Sequence, residues 1–521
     1  MARELARWGL QSDVLDAVGG YHGENREVVF DPKGHAVFDG RGAYVAVPSL
    51  PPDVFDRPFT LSAWLHTEKA LDDVLGDIAS KYDGATRRGL NFCIQNFHGV
   101  TSSQSNYRNL FFGIDDGAAP QPWSDHGRPG NAVMVWSLCV FNGGLYASTF
   151  EAGKDEAGRV YRYLGGDQWE DCGSPYPSNS VSALAVFEGK LYAAASHYRS
   201  RGSSLPESEN ELFGGRVYCY EGGTSWRFCG KVGEIEAIMG LAVYKGKLYA
   251  SSLYAPAGLF CYEGGTTWVD CGNPGGRIEA LTVYDGSLFG SGYDLNFSGV
   301  YRYDGGKAWT DAGTPAETTQ TYSFAVHRGE LYVGTWPTGK VFRKNGDTGW
   351  DDVGRLGQET EVMAMSMYNG KLYAGTLPLA EVYRFERDGE WSRLEQLDKT
   401  PEVKYRRAWS MAVYDGKLFC GTLPSGHVHS MEAGRCVTQD RVLEDGWRHV
   451  AVVRDDAALR MYVDGVEVAS RELGAMAGAS IANERPFLIG FGEHDYFCGA
   501  MKDVRLFDGA VDAKGIAGLM G

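Results

Sequence analysis

The middle of the chain alternates apolar runs with two-residue turns, and it repeats. An apolar strand, an x-Gly turn and a second apolar strand recur as "LCVFNGGLYAS" (138–148), "LAVFEGKLYAA" (184–194), "LAVYKGKLYAS" (241–251), "LTVYDGSLFGS" (281–291), "FAVHRGELYVG" (324–334), "MSMYNGKLYAG" (365–375) and "MAVYDGKLFCG" (411–421). The first six copies are each followed by a strand, a Gly-containing turn and a tryptophan-led strand, with Trp169, Trp226, Trp268, Trp309, Trp350 and Trp391 mostly about forty residues apart. Two hairpins per period of that length predict the four-stranded blade of a β-propeller rather than a solenoid unit. Helical periodicity is scarce throughout, and the fold class read from the pattern is all-β.

The seventh copy runs on into "RCVTQDRVLEDGW" with no tryptophan strand, while "PWSDHGRP" (122–129) stands alone ahead of the first copy. It has the form of the "WEDCGSP" that follows in the first repeat. The sequence therefore predicts a seven-bladed propeller over 121–438, with 121–130 supplying the outer strand of blade seven. Such circular closure pairs the two edges that would otherwise be left open.

Residues 1–120 and 439–521 lack the repeat. Strand alternation is clear in "LRMYVDGVEVA" (459–469), where Asp464-Gly465 marks a two-residue hairpin. Four signatures occur in order across the flanks: "FDGRGAY" (38–44), "FTLSAW" (59–64), "WRHVAV" (447–452) with "YVDG" (462–465), and "GAMKDVRLF" (499–507). Together these resemble the laminin-G-like, concanavalin A-like jelly roll over about two hundred residues. The resemblance implies one jelly roll, 1–120 plus 439–521, interrupted by the propeller, since insertions succeed at exposed loops whose ends meet. It also implies glycan or protein ligands and a calcium ion at a sheet edge, for which Asp39 and Asp503 are the candidate carboxylates. The alternative for both is structural: Asp39 in a turn, Asp503 capping an edge strand. The "Y-x-Y-[DE]-G-G-x-x-W" turn of the repeats resembles the Asp-box of sialidases and other secreted propellers. It lacks the leading serine, carries a doubled glycine, and implies nothing about catalysis.

Composition narrows the function. Aromatic residues at 13% and 70 glycines suit sheets joined by tight turns. A formal charge of −17 argues against a general nucleic-acid binder or an anionic membrane surface as partner. The N-terminus shows no signal-peptide h-region and no segment reaches transmembrane length, so no membrane insertion is expected. The expected compartment is the cytoplasm, or the exterior if the chain is a mature form. Cys219 with Cys229, and Cys261 with Cys271, flank Gly-Gly turns at equal spacing. Each pair reads either as a hairpin disulfide or as two small, half-buried hydrophobes. No C-x-x-C or Cys/His cluster suggests zinc at these cysteines.

Uniform turns fall on one propeller face, while the variable loops 151–158, 197–215 and 397–409 fall on the other. Variable loops on a rigid scaffold are the default place for a ligand. The residues just beyond each second strand are Glu151, His197, Tyr198, Tyr254, Tyr293, Asp294 and Trp336, and loop arginines Arg199, Arg201, Arg406 and Arg407 share that face. Aromatic platforms with acids and arginine suit sugars, whose apolar faces stack while their hydroxyls hydrogen-bond. The structural alternative is that the tyrosines pack the funnel wall and the charges form a solvated rim. The leading expectation is a glycan-binding, lectin-like protein with no organic cofactor. The second is a carbohydrate-active enzyme. An exo-glycosidase would use two carboxylates, Glu151 and Asp294, and a polysaccharide lyase would use His197, Tyr254 or Tyr293 beside Arg199. The third is a protein-interaction scaffold. No nucleophile elbow, P-loop or dinucleotide fingerprint is present.

Overall fold

The structure, a computed structural model, describes residues 2–71, 73–294 and 296–521. Strands dominate it, and Ala513–Gly518 is the one α-helix among the described residues. Among the described residues, no helix is long and apolar enough to cross a membrane.

Each x-Gly turn of the repeats folds as a tight hairpin. Asn142, Glu188, Lys245, Asp285, Arg328, Asn369 and Asp415 all take φ between 42° and 53°, and each is followed by a glycine with positive φ. Two successive left-handed residues make the type I′ turn, whose twist matches that of the flanking strands. Four-stranded sheets follow from this, with order equal to sequence order. They lie over 238–270, 278–311, 320–355 and 361–396. In the fifth, Ser124–Asp125 is the outer strand beside Val428–Met431, Lys417–Leu423 and Arg407–Tyr414.

The expectation of seven separate blades is corrected here to five. The first two repeats form a single eight-stranded sheet, because Phe150 at the end of Gly144–Phe150 pairs with Ser180 at the start of Ser180–Phe187. The adjacent Glu151 N–H donates to the Asn179 carbonyl at 3.1 Å and extends the junction.

The tryptophan of every repeat, and the W-x-D-x-G that it opens at Trp123, Trp169, Trp268, Trp309 and Trp350, have a physical role. Indole Nε1 of Trp226 donates to the Cys172 carbonyl of the preceding repeat at 2.8 Å, and Trp268, Trp309, Trp350 and Trp391 do the same to Cys229, Cys271, Ala312 and Val353. Trp169 completes the series through the carbonyl of His126, at 2.9 Å. His126 stands three residues after Trp123, as Cys172 stands three after Trp169. The aspartate accepts the N–H two residues on, as Asp125 does from Gly127 and Asp171 from Gly173. The glycine allows the next repeat to approach: a Cβ on Gly313 would stand 1.9 Å from the Thr348 carbonyl oxygen.

The flanks build two packed sheets from both chain ends. One runs Val29–Asp31, His35–Asp39, Cys498–Asp508, Phe59–Thr67, Gly446–Arg454, Ala458–Val463 and Val466–Glu472, with Arg3–Trp8 also on Cys498–Asp508. The other runs Glu24–Arg26, Tyr44–Val47, Phe487–Ile489, Gly76–Asp83, Arg88–Phe97, Asn106–Asp116 and Arg435–Gln439. Between them lies a core containing Trp8, Phe38, Phe59, Phe92, Phe112 and Leu506.

This sandwich sits on the x-Gly turns of the repeats. Lys245 N–H donates to Leu71 O at 2.7 Å, Arg328 N–H to Glu493 O at 3.0 Å, and Asn369 Nδ2 to Ile114 O at 3.2 Å. The loop 98–105, between two sandwich strands, then enters the propeller axis. Its backbone meets Phe324, Leu241, Leu184 and Val140 through Gly99 O, Ser102 O, Gln104 N–H and Ser105 O, at 2.8–3.3 Å. Thr101 Oγ1 lies 2.5 Å from Met363 O and 2.7 Å from Trp409 O, and Ser102 Oγ donates to Trp136 O. The inner strands are irregular at these places, with register shifts at 135/137, 238/241, 321/324, 362/364 and 408/410. A bulge frees backbone groups from the ladder, and the inserted loop pairs them.

All ten cysteines are free thiols, nine of them buried. All four of Cys219, Cys229, Cys261 and Cys271 are buried, and the Cys219 and Cys229 thiols lie against each other. In the hairpin ladders Cys219 faces Arg227 and Cys261 faces Val269, so neither pair is directly cross-strand.

Candidate functional site

The sandwich covers the uniform turns and leaves the variable loops open. At that open end the inner strands converge on one apolar cluster. Trp136, Phe150, Tyr198, Met239, Tyr322, Met363 and Trp409 are buried in it, and Tyr254, Tyr293, Trp336 and Tyr405 are half-buried against it. Trp136 and Trp409 pack edge-to-face with centroids 5.1 Å apart.

Three arginines lie on aromatic faces here. Arg277 is 3.8 Å from the Tyr293 ring centroid, Arg199 is 4.6 Å from that of Tyr254, and Arg407 is 5.4 Å from that of Trp409. Each also has an acid as electrostatic partner: Glu279 at 3.3 Å for Arg277, Glu236 in direct ion pair with Arg199, and Glu361 near Arg407. Glu279 and Glu361 are buried, and neither carboxylate oxygen of Glu279 has a hydrogen-bond partner. Burial drives the Glu279 carboxyl up to about 8, with the neighbouring Glu361 and Asp294 adding to the rise and Arg277 opposing it. Burial likewise moves Glu361 to about 7, against Arg407.

The long loop of the second repeat lies across one side of the mouth. Its short 3-10 turn, Ser200–Ser203, places Ser203 Oγ 2.7 Å from Arg407 Nη1 and in contact with the Tyr198 hydroxyl. Glu207 holds the turn by accepting the Ser200 N–H at 2.8 Å. Tyr254, Tyr293, Trp336 and Tyr405 remain half-exposed beside it.

Of the residues expected at this face, Tyr198, Tyr254, Tyr293, Trp336 and Arg407 are brought to one cluster. Arg199 joins it through Tyr254, whose hydroxyl accepts the Arg199 N–H at 3.0 Å. The others turn elsewhere. His197 leans on Phe213, with its Nδ1 4.0 Å from Glu236. Glu151 is taken up by Thr149 and Tyr161 within its own repeat, at 3.1 and 2.9 Å. Asp294 is exposed in a small turn closed with Phe297, Arg406 donates to the Thr400 carbonyl at 2.6 Å, and Arg201 points to solvent. Of the glycosidase pair, Glu151 is thus buried against its own repeat while Asp294 faces solvent.

Arg277, Glu279, Glu361 and Tyr405 were not singled out by the sequence reading. For the three charged residues the one signal is charge at the start of an otherwise apolar inner strand, as in "RIEALTV" (277–283) and "EVMAMSM" (361–367).

In the sandwich, Asp39 Oδ1 accepts the N–H groups of Arg41, Gly42 and Ala43 at 2.9–3.0 Å. Asp503 is paired with Arg7 at 2.7 Å and Arg505 at 2.6 Å. Both carboxylates are engaged: Asp39 holds a turn, and Asp503 lies at a register shift within Cys498–Asp508, an interior strand rather than the expected edge. Among the described residues, neither joins a cluster of metal-ligating side chains.

Two wide clefts lie away from the mouth. One of about 860 Å³ is bordered by Asp83, Arg88, Asp116 and Arg485, and one of about 850 Å³ by Tyr249, Cys261, Asp270 and Lys307. Their charges are paired with one another, Asp83 with Arg485 and Asp270 with Lys307. The mouth is distinguished by buried, unsatisfied acid groups beneath half-exposed rings.

The family model of the concanavalin A-like lectin/glucanases superfamily matches residues 406–517. No curated protein matches the chain. Among solved structures, a streptogramin B lyase is similar at 11% identity and a TM-score of 0.48, over 60% of this chain and 98% of that one. YCF48 from Cyanidioschyzon merolae is similar at 11% identity and a TM-score of 0.44, over 60% of this chain and 99% of that one. The WD40 propeller domain of Doa1 is similar at 10% identity and a TM-score of 0.42, over 60% and 97%.

Proposed function

We propose that this chain is a glycan-binding protein whose ligand stacks on the half-exposed rings at the propeller mouth. The observation that carries the reading is the set Tyr254, Tyr293, Trp336 and Tyr405, half-buried on one cluster with arginine–acid pairs between them. Flat aromatic surfaces bind the apolar faces of sugar rings, and the adjoining charged groups accept and donate hydrogen bonds to hydroxyls. The match to a lectin-containing superfamily is in keeping with this.

Affinity electrophoresis against neutral and acidic polysaccharides tests the proposal. Retardation by at least one glycan, reduced in Trp336→Ala and in Tyr293→Ala, is the expected result. Equal mobility in every gel would refute it, and capture of a protein from a glycan-free mixture would favour the scaffold reading instead.

A hydrolytic reading rests on Glu279. An acid raised to about 8 is protonated in neutral solution, the state in which a general acid donates a proton to a leaving oxygen. Release of chromophore from aryl glycosides, lost in Glu279→Gln, would support it. A lyase is less well served. Burial raises the hydroxyls of both Tyr254 and Tyr293 above the ordinary tyrosine value, which leaves less of each in the phenolate form that a base requires.

A further inference from the structure

A second cluster of donor atoms lies far from the axis, where the chain closes on itself. Asp125 belongs to the short outer strand Ser124–Asp125, and register sets it opposite His429 in Val428–Met431. Alternation along a strand puts His427 and His429 on one side, with Ser430 on the other. There Ser430 Oγ meets His126 Nε2 at 2.7 Å. One ligating atom each from Asp125, His427 and His429 falls within 4.8 Å of the other two. His427 Nδ1 is 2.9 and 3.0 Å from the Asp125 carboxylate oxygens, and the two imidazoles are stacked with centroids 6.2 Å apart. His429 is only 8% exposed, and its Nε2, shielded from solvent, has no hydrogen-bond partner. An orphaned, buried ring nitrogen is costly unless something occupies its lone pair or its proton.

We propose that Asp125, His427 and His429 bind a divalent cation of the zinc class and that this ion ties the closing strand into the ring. Two imidazole nitrogens and one carboxylate oxygen are a donor set for zinc and its first-row neighbours, not for calcium or magnesium, which prefer all-oxygen shells. Zinc–ligand bonds of about 2.0–2.2 Å require the donors to draw together slightly. His427 is half-exposed and Asp125 exposed, so both have room to move toward the fixed His429. Asp125 and His427 stand 302 positions apart in the chain, and a shared ion would link them without any covalent bridge.

Calorimetric titration of the full chain with zinc chloride, alongside thermal melts with zinc and with calcium, tests the site. The expected result is one zinc per chain and a raised melting temperature with zinc but not with calcium. Affinity should fall by about tenfold or more in His427→Ala and in His429→Gln. His427→Ala alters a half-exposed side chain, so its fold can be checked by circular dichroism before titration. Cobalt added to the wild type should develop visible d–d absorption that zinc abolishes. Absence of stoichiometric zinc binding by the wild type, or wild-type affinity in both histidine variants, would overturn the proposal.

Discussion

Glu279 has two carboxylate oxygens with no hydrogen-bond donor and no solvent, an arrangement that favours the protonated acid. Its ordinary value of 4.5 becomes about 8 in the fold, so the folded state holds a proton that the unfolded chain has released. Its contribution to stability is full below about pH 4.5 and is lost as pH rises to about 8. Thermal melts should therefore show Glu279→Gln gaining on the wild type from pH 5 to pH 8; parallel curves would contradict this. Gly313 makes a prediction of another kind. At φ +95°, with its missing Cβ 1.9 Å from Thr348 O, it has no room for a side chain. Gly313→Ala should cost about 1–3 kcal/mol, measured by urea unfolding. That glycine stands where "WEDCGSP" of the first repeat has its own, in "WTDAGTP" (309–315), so its place was legible in the sequence. Glu279 was not, because one acid in an apolar strand looks the same whether it faces solvent, a partner or an axis.

Among elements, the loop 98–105 is the least expected. "HGVTSSQS" reads as an ordinary polar connection between two strands, and polarity is what a surface loop shows too. Its serines and threonine are instead buried, matching the backbone groups that irregular inner strands turn inward. Thr101→Val keeps the shape and removes the hydroxyl shared by Met363 O and Trp409 O. The change should destabilise the protein by about 1–3 kcal/mol, read from the shift in urea midpoint at constant slope. The hairpins and the tryptophan strands were legible throughout, since their signals lie within a few residues of one another. Whether neighbouring repeats stay separate was not. The junction of the first two depends on Phe150 meeting Ser180, and no local pattern marks that pair.

At the scale of the whole molecule, sandwich and propeller share backbone hydrogen bonds at the turn face and along the axis. They should melt in one transition. A chain trimmed to 121–438 loses the axial loop and leaves the inner-strand groups unpaired, so it should melt well below the intact protein or fail to fold. Scanning calorimetry of both chains decides the matter; equal melting temperatures would show that the loop contributes nothing.

The sequence by itself determined the all-β class, the repeat with its glycine turns, and the tryptophan-led strand before the first copy that closes the ring. These are short-range properties, fixed by left-handed glycines, by alternation and by one indole reaching one carbonyl. Only the tertiary structure decided which side chains meet. It gathered Tyr198, Tyr254, Tyr293, Trp336 and Arg407 while turning His197, Glu151 and Arg406 away, and it set Asp125 against His427 and His429. Those neighbours come from distant parts of the chain and share no period, so the packing that joins them leaves no trace in the order of residues.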